Sequence, residues 1–157
     1  MSKHRILLAV AVIALVYGAY RGVGCLTRSE EDAVREVIDD LTAAFKDGNT
    51  GAILDLVTDD FAVTYRRERV NRQELADYLR YTFFSRQERI ELRGGLNSIA
   101  IDGDSASVVW EGRAVKRSAR RESGGAEMHR GTADLKLRKV DGSWLLAEAE
   151  AVPAEDE

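Results

Sequence analysis

The sequence predicts an α+β domain in which three helices precede a strongly curved antiparallel sheet. Apolar residues recur at helical spacing in the first half of the chain. From Glu88 onward, apolar and polar residues alternate instead, which is typical of strands. Asp-Gly pairs then mark tight turns between the alternating stretches. A length of 157 residues, a hydrophobic fraction of 45% and a single proline suit one domain with a buried core and argue against disorder.

The first two helices are defined by their ends. Ser29 and Asp32 form an acidic variant of the capping box, and Gly48 is expected to end the first helix in the left-handed conformation. The stripe that this helix buries is Val34, Val37, Ile38, Leu41 and Phe45. A second, short helix is expected over residues 50–57.

A short strand and a third helix follow. The strand is indicated by the alternation of Phe61, Val63 and Tyr65. Asn71 and Glu74 form a capping box, which predicts that the third helix begins there. Its inner face is Leu75, Tyr78, Leu79 and Phe83.

Four long strands make up the second half of the domain. Ile90 and Ile99 lie on opposite phases of the first of them, so we expect a bulge at Gly94-Gly95. The other strands are predicted over residues 105–118, 127–140 and 144–152, with tight turns at residues 102–104 and 141–142.

The N-terminal segment, residues 1–27, carries three basic and no acidic groups and an uncharged apolar run over residues 6–20. A basic start followed by an apolar run is typical of a signal-anchor helix or a cleavable signal peptide. Gly22-Val23-Gly24-Cys25 also resembles a bacterial lipoprotein box, with Cys25 as the lipidated residue. A buried core helix is a further alternative for the run.

Lys3 and Arg5 predict that the N-terminus stays in the cytoplasm. We therefore expect a single-pass cell-membrane protein whose domain, residues 28–152, lies in the periplasm or outside the cell. A lipoprotein or a secreted protein is the alternative. Residues 153–157 form an acidic tail that we expect to fray.

The folded segment resembles a known superfamily. Residues 34–63 contain a helix, a Phe-Lys-Asp-Gly-Asn turn, an Ile-Leu-Asp-Leu-Val helix and a Thr-Asp-Asp-Phe exit, and the chain closes with Lys-Val-Asp-Gly-Ser-Trp-Leu-Leu. Over residues 30–152 this order resembles the nuclear-transport-factor-2-like superfamily, which includes SnoaL-like and ketosteroid-isomerase-like proteins. The resemblance implies a cone-shaped domain, often a homodimer through the sheet, and it spans both enzymes and non-catalytic binders.

Candidate pocket residues follow from the alternation of the late strands. His129 shares a face with Leu135, directed toward the helices, whereas Asp134 points away. SnoaL-like cyclases rely on a histidine and an aspartate in the cone, so the resemblance makes His129 a candidate acid/base. The isomerases use a tyrosine that the first helix here lacks. Side chains that would line a pocket for a flat apolar ligand are Tyr65, Tyr78, Tyr81 and Trp110. The alternative interpretation of these aromatic residues is that they pack in the core. The alternative for His129 is that it makes a structural hydrogen bond.

Positive charge is concentrated in the middle of the chain although the net charge is -4. A patch for an acidic protein or an anionic lipid surface is predicted at Arg66, Arg67, Arg69, Arg113, Lys116, Arg117, Arg120 and Arg121. A solvated edge that prevents strand pairing explains the same residues. The net charge excludes a strongly basic nucleic-acid binder, and no aromatic interleaving accompanies the arginines.

The chain has one cysteine and two histidines, which do not supply a zinc set, so neither a metal nor another cofactor is expected. The sequence therefore favours a membrane-tethered module that binds a ligand or assembles with a protein. The alternatives are a SnoaL-like or isomerase-type pocket enzyme using His129, and a sheet-mediated dimer with no small ligand.

Overall fold

The computed structural model describes residues 29–118 and 127–154. The expectations for the N-terminal segment, including Cys25, and for Arg120 and Arg121 lie outside these residues. The described residues from Val34 onward belong to one compact unit, which contains the sheet. Within the described ranges, no helix combines the length and the apolar character needed to cross a membrane.

Helices and strands follow the predicted order, with one additional strand. The helical elements are α1 (Glu30–Asp47), α2 (Thr50–Asp55), α3 (Arg72–Arg80) and a π-helical turn (Tyr81–Ser85) that continues α3. The strands are β1 (Val57–Tyr65), β2 (Glu68–Asn71), β3 (Glu88–Asp102), β4 (Ser105–Ser118), β5 (Glu127–Val140) and β6 (Ser143–Pro153). Helix α2 is two residues shorter than predicted, because Val57 already belongs to β1.

The predicted capping box at Asn71 is present, and Ser29 caps the first helix. The Ser29 hydroxyl accepts a hydrogen bond of 3.0 Å from the Asp32 backbone N–H. The Asn71 side chain accepts from the Glu74 N–H at 3.0 Å, and the Glu74 carboxylate accepts from the Asn71 N–H at 2.9 Å. Gly48 has a φ of 66°, the left-handed conformation expected after a helix. Local side-chain chemistry therefore determines where the helices begin and end.

The sheet is mixed, so the expectation of a wholly antiparallel sheet is wrong at one pair. Its six strands have the order β2-β1-β6-β5-β4-β3, and β1 runs parallel to β6. The other neighbouring pairs are antiparallel. Strands β3 to β6 are joined by consecutive hairpins, which impose opposite directions. No hairpin joins β1 to β6. The alternation of apolar and polar residues within each strand does not determine whether these two strands run parallel or antiparallel.

Strand β2 is the element that the sequence did not predict. It pairs with β1 through a turn in which Arg66 and Arg67 have φ values of 48° and 73°. Two successive positive φ values are typical of a type I′ hairpin turn, which usually carries Asn or Gly. Because arginines occupy both positions, the usual sequence signal for this hairpin is missing.

The phase change in β3 occurs at Asn97 and not at Gly94-Gly95, so the predicted position of the bulge is wrong. The register with β4 shifts between Leu96 and Ser98, leaving Asn97 as the extra residue. Gly94 instead allows a close approach: a Cβ there would lie 2.6 Å from Trp110 Cζ2 and 2.7 Å from Gly112 Cα. The glycine is needed for contact with the neighbouring strand.

The core lies between the helices and the inner face of the sheet. Helix α1 buries the apolar stripe predicted for it, except that Phe45 is only half-buried. The side chains with almost no exposure include Ile53, Leu79, Val108 and Leu137. Leu137 is 2% exposed, which confirms that its parity on β5 faces inward.

Candidate functional site: an apolar cone

A cavity of about 550 Å³ lies between helix α1 and the inner face of the sheet. Helix α1 contributes Ile38, Leu41 and Phe45 to its wall, whereas the facing strands contribute several small residues among larger ones such as Trp110 and Leu135. The small residues on the sheet side are Gly112, Ala114, Gly131, Ala133, Ala149 and Ala151. Because short side chains stand opposite the helix, the two layers cannot fill the space between them.

The cavity is closed at one end and open at the other. Ile53, Phe61 and Leu146, all buried, line the closed end. Tyr65, 38% exposed, and Tyr78, 50% exposed, line the open end. The open end therefore carries phenolic hydroxyl groups, and the interior presents hydrocarbon.

Tyr65 and Trp110 lie at the two ends of one row of residues across four strands. Tyr65 on β1 pairs with Ala151 on β6, Ala151 pairs with Ala133 on β5, and Ala133 pairs with Trp110 on β4. Three strand spacings separate the aromatic residues by roughly 14 Å. Both aromatic residues line the cavity, so the alanines between them form the base of a slot suited to a flat molecule.

Tyr81, the fourth aromatic candidate, is not among the residues that line the cavity. Its ring instead lies against Arg86, whose guanidinium carbon is 5.2 Å from the ring centroid. Tyr81 begins the π-helical turn, where the rotation per residue is smaller than in an α-helix. Tyr81 is 53% exposed and therefore lies on the surface.

His129 lines the cavity at its exposed end, on the inward parity expected from the sequence. It pairs with Ala114 of β4, four residues along the strand from Trp110. Asp134 is exposed and pairs with Glu150. Asp39 and Asp40 are likewise exposed and are not among the lining residues. The phenols of Tyr65 and Tyr78 are titratable groups that line the same cavity as His129.

Polar groups in the cavity wall are few among the described residues. The hydroxyl of Thr42 donates a hydrogen bond of 2.8 Å to the Ile38 carbonyl of its own helix. Within residues 29–118 and 127–154, no three His, Cys, Asp or Glu side chains come together in an arrangement that could hold a metal ion. The described wall is that of a site for a mainly apolar molecule.

The predicted basic patch is divided by the fold. Arg66, Arg67 and Arg69 lie on the β1–β2 hairpin at one edge of the sheet. The other described members, Arg113, Lys116 and Arg117, lie on β4, which three intervening strands separate from β2. Lys116 and Arg117 are also engaged, with Glu88 at 2.9 Å and Glu91 at 3.5 Å. The structure therefore does not bring these residues together in a single patch.

The sequence did not identify the small residues of the cavity wall. Ala133, Ala149 and Ala151 look like ordinary strand positions, and their importance comes from the space they leave opposite α1. A run of small residues on the inward parity of two neighbouring strands was the signal available for finding them.

A curved sheet covered by helices, with a cavity closed at one end, defines a nuclear-transport-factor-2-like domain. The chain belongs to the SnoaL-like domain family, whose model matches residues 27–150. This confirms the resemblance seen in residues 34–63 and in the last hairpin. No curated protein matches the sequence.

Solved structures with the same fold come from proteins of different kinds. A conserved protein from Planctomyces limnophilus is 22% identical, with a TM-score of 0.70 over 80% of this chain and 98% of its own. A provisionally assigned scytalone dehydratase from Novosphingobium aromaticivorans is 18% identical, with a TM-score of 0.68 over 80% and 84%. A type 2 hexachlorocyclohexane dehydrochlorinase is 11% identical, with a TM-score of 0.66 over 80% and 85%. At these identities the likeness concerns the fold.

Proposed function

We propose that this SnoaL-like domain binds a small, flat and largely apolar molecule in the cone. The observation that carries the proposal is the apolar cavity of about 550 Å³ that is closed at one end. Ligand pockets occupy roughly 300–1,000 Å³ and combine apolar walls with a few polar groups. The phenols of Tyr65 and Tyr78 and the imidazole of His129 supply such groups at the open end.

Binding without chemistry is favoured over catalysis by the composition of the cavity wall. Most of the described lining side chains are aliphatic or aromatic, and none of them is an aspartate or a glutamate. Such a wall suits the burial of an apolar molecule. The dehydratase and the dehydrochlorinase share the fold with this chain, and their names supply no residue here.

Ala133→Phe is expected to weaken binding in the cone at least tenfold, because a phenyl ring between Trp110 and Ala151 would occupy the slot. The measurement is a fluorescence titration of the full chain with N-phenyl-1-naphthylamine, a neutral apolar probe that brightens when it leaves water. A cooperative thermal transition would show that the variant is folded.

Ser107→Phe is the matched control, since Ser107 is exposed and lies on β4 outside the cavity wall. It adds a phenyl ring to the same sheet and is expected to leave the titration unchanged. Equal affinities for wild type and Ala133→Phe would refute binding in the cone.

A membrane tether and an extracytoplasmic location are the second part of the proposal. They rest on Lys3 and Arg5 in front of the apolar run at residues 6–20. A tethered binding domain would hold its ligand near the membrane surface. A homodimer formed through the sheet is compatible with this arrangement.

Cys25→Ser is expected to remain in the membrane fraction, because an uncleaved apolar helix does not depend on the thiol. Intact spheroplasts treated with protease should lose the domain, since it lies outside. Release of the variant into the soluble fraction would indicate lipidation at Cys25 instead, and protection of the domain in intact spheroplasts would overturn the topology.

A further inference from the structure

Three arginines from three neighbouring strands form a row on the outer face of the sheet. Arg93 of β3 pairs directly with Arg113 of β4, and Arg113 pairs directly with Arg130 of β5. Adjacent strands lie about 4.8 Å apart, and directly paired residues point to the same face. The row joins positions 37 residues apart in the sequence (130 - 93), and only the strand register brings them together.

The arginine row borders a shallow, open groove of about 600 Å³. Gly94, Gly95 and Gly112 form the part of the groove where side chains are missing. A Cβ at Gly95 would have no atom within 4 Å, so this position is open. A ligand can therefore approach the backbone between the guanidinium groups.

The carboxylates of the described residues compensate this row only in part. Glu91 binds Arg93 through two hydrogen bonds of 2.8 and 2.9 Å, and the guanidinium of Arg93 lowers the pKa of the Glu91 carboxyl. The described contact of the Arg113 guanidinium is with the Met128 sulfur at 4.0 Å. Among the described residues, no carboxylate lies within 4.0 Å of the Arg113 or Arg130 guanidinium, although Glu111 lines the groove.

Like charges placed directly opposite each other destabilise a sheet. The register opposes Arg113 to an arginine on either side, so the domain retains a repulsion that a bound anion would relieve. Guanidinium groups present paired N–H donors that match the oxygens of phosphate in bidentate fashion. A phosphate group has enough acceptor oxygens and negative charge to bind more than one of these guanidinium groups.

We propose that the groove is a binding site for a phosphate group, formed by Arg93, Arg113 and Arg130. The site is separate from the cone and does not depend on ligand binding there. Gly112 and Arg130 border both spaces, so the phosphate site adjoins the wall of the apolar cavity. The phosphate belongs either to a soluble molecule or to a phospholipid headgroup.

The test compares thermal unfolding of the full chain, in a neutral detergent, in sodium phosphate and in sodium chloride of equal ionic strength. Wild type is expected to gain stability in phosphate beyond the gain in chloride. Arg113→Gln and Arg130→Gln should each weaken the apparent phosphate affinity about tenfold or more, because each removes a charge-assisted hydrogen-bond donor. Arg113→Gln should also unfold no earlier than wild type in phosphate-free buffer, since the repulsion is relieved.

Arg138→Gln is the matched control, because Arg138 lies on β5 at the same parity as Arg130 but outside the groove, bound to Asp60 at 2.6 Å. It is expected to retain the phosphate response. Equal responses to phosphate and chloride in wild type, or an unchanged response in both groove variants, would overturn the proposal.

Thermal unfolding in neutral-detergent micelles that contain a phospholipid identifies the source of the phosphate. Greater stabilisation of wild type than of the Arg113→Gln/Arg130→Gln variant by phosphatidylglycerol, with equal effects of phosphatidylcholine on the two proteins, supports a lipid headgroup. Equal effects of both lipids on the two proteins, together with the response to free phosphate, support a soluble ligand. Neither outcome depends on the cone, so failure of the apolar probe to bind leaves this test intact.

Discussion

Gly94→Ala is expected to destabilise the domain by about 3 kcal/mol, because the added methyl group has no space. It would lie 2.6 Å from Trp110 Cζ2 and 2.7 Å from the Gly112 Cα atom, and it would also overlap the Glu111 carbonyl oxygen. The tryptophan can rotate, but the two backbone atoms belong to the paired strand and can move only if β3 and β4 separate. Chemical denaturation of the full chain measures the loss.

Gly95→Ala is the control for this prediction and concerns the next residue of the same strand. A Cβ at Gly95 meets nothing within 4 Å, so its effect should stay within about 0.5 kcal/mol. The two substitutions change composition and strand propensity identically and differ only in the face on which the methyl group lies. Equal free energies of unfolding for the two variants would contradict the close approach of β3 and β4.

Leu79→Ala is expected to cost about 3 kcal/mol and to lower Tm by roughly 10 °C. Leu79 of α3 is 0% exposed, so truncation leaves a void that packed neighbours fill only in part. The measurement is thermal unfolding followed by circular dichroism, with the far-ultraviolet spectrum confirming that the helices remain.

Phe84→Ala provides the comparison for Leu79→Ala. Phe84 lies five residues further along, in the π-helical turn, and is 89% exposed. Its truncation removes a larger side chain from water-facing surface and should change stability by less than about 0.5 kcal/mol. A larger loss for Phe84→Ala than for Leu79→Ala would mean that the assigned inner face of α3 is incorrect.

The sequence was informative wherever one residue determines its own local geometry. Ser29 and Asn71 predicted helix starts because their side chains bond backbone groups three residues away. The inward parity of Leu137 and His129 followed from strict alternation along one strand.

Features that depend on two distant segments could not be predicted in the same way. The parallel direction of β1 against β6, the position of the bulge at Asn97 and the row formed by Arg93, Arg113 and Arg130 are all properties of register. Periodicity along a single strand contains no information about register between strands. The cavity is also a property of two layers, because its size depends on which small residues lie opposite α1.

The position of β6 between β1 and β5 has a consequence for the order of folding. The β1–β2 hairpin is complete at residue 71, but the strand that joins it to the remainder of the sheet spans Ser143–Pro153. During synthesis on the ribosome, one edge of β1 therefore stays unpaired until the last strand of the domain has been made. An unpaired strand edge can associate with other chains. The closing contact of the sheet is one of long sequence separation, so the final assembly of the cone is a slow and late step.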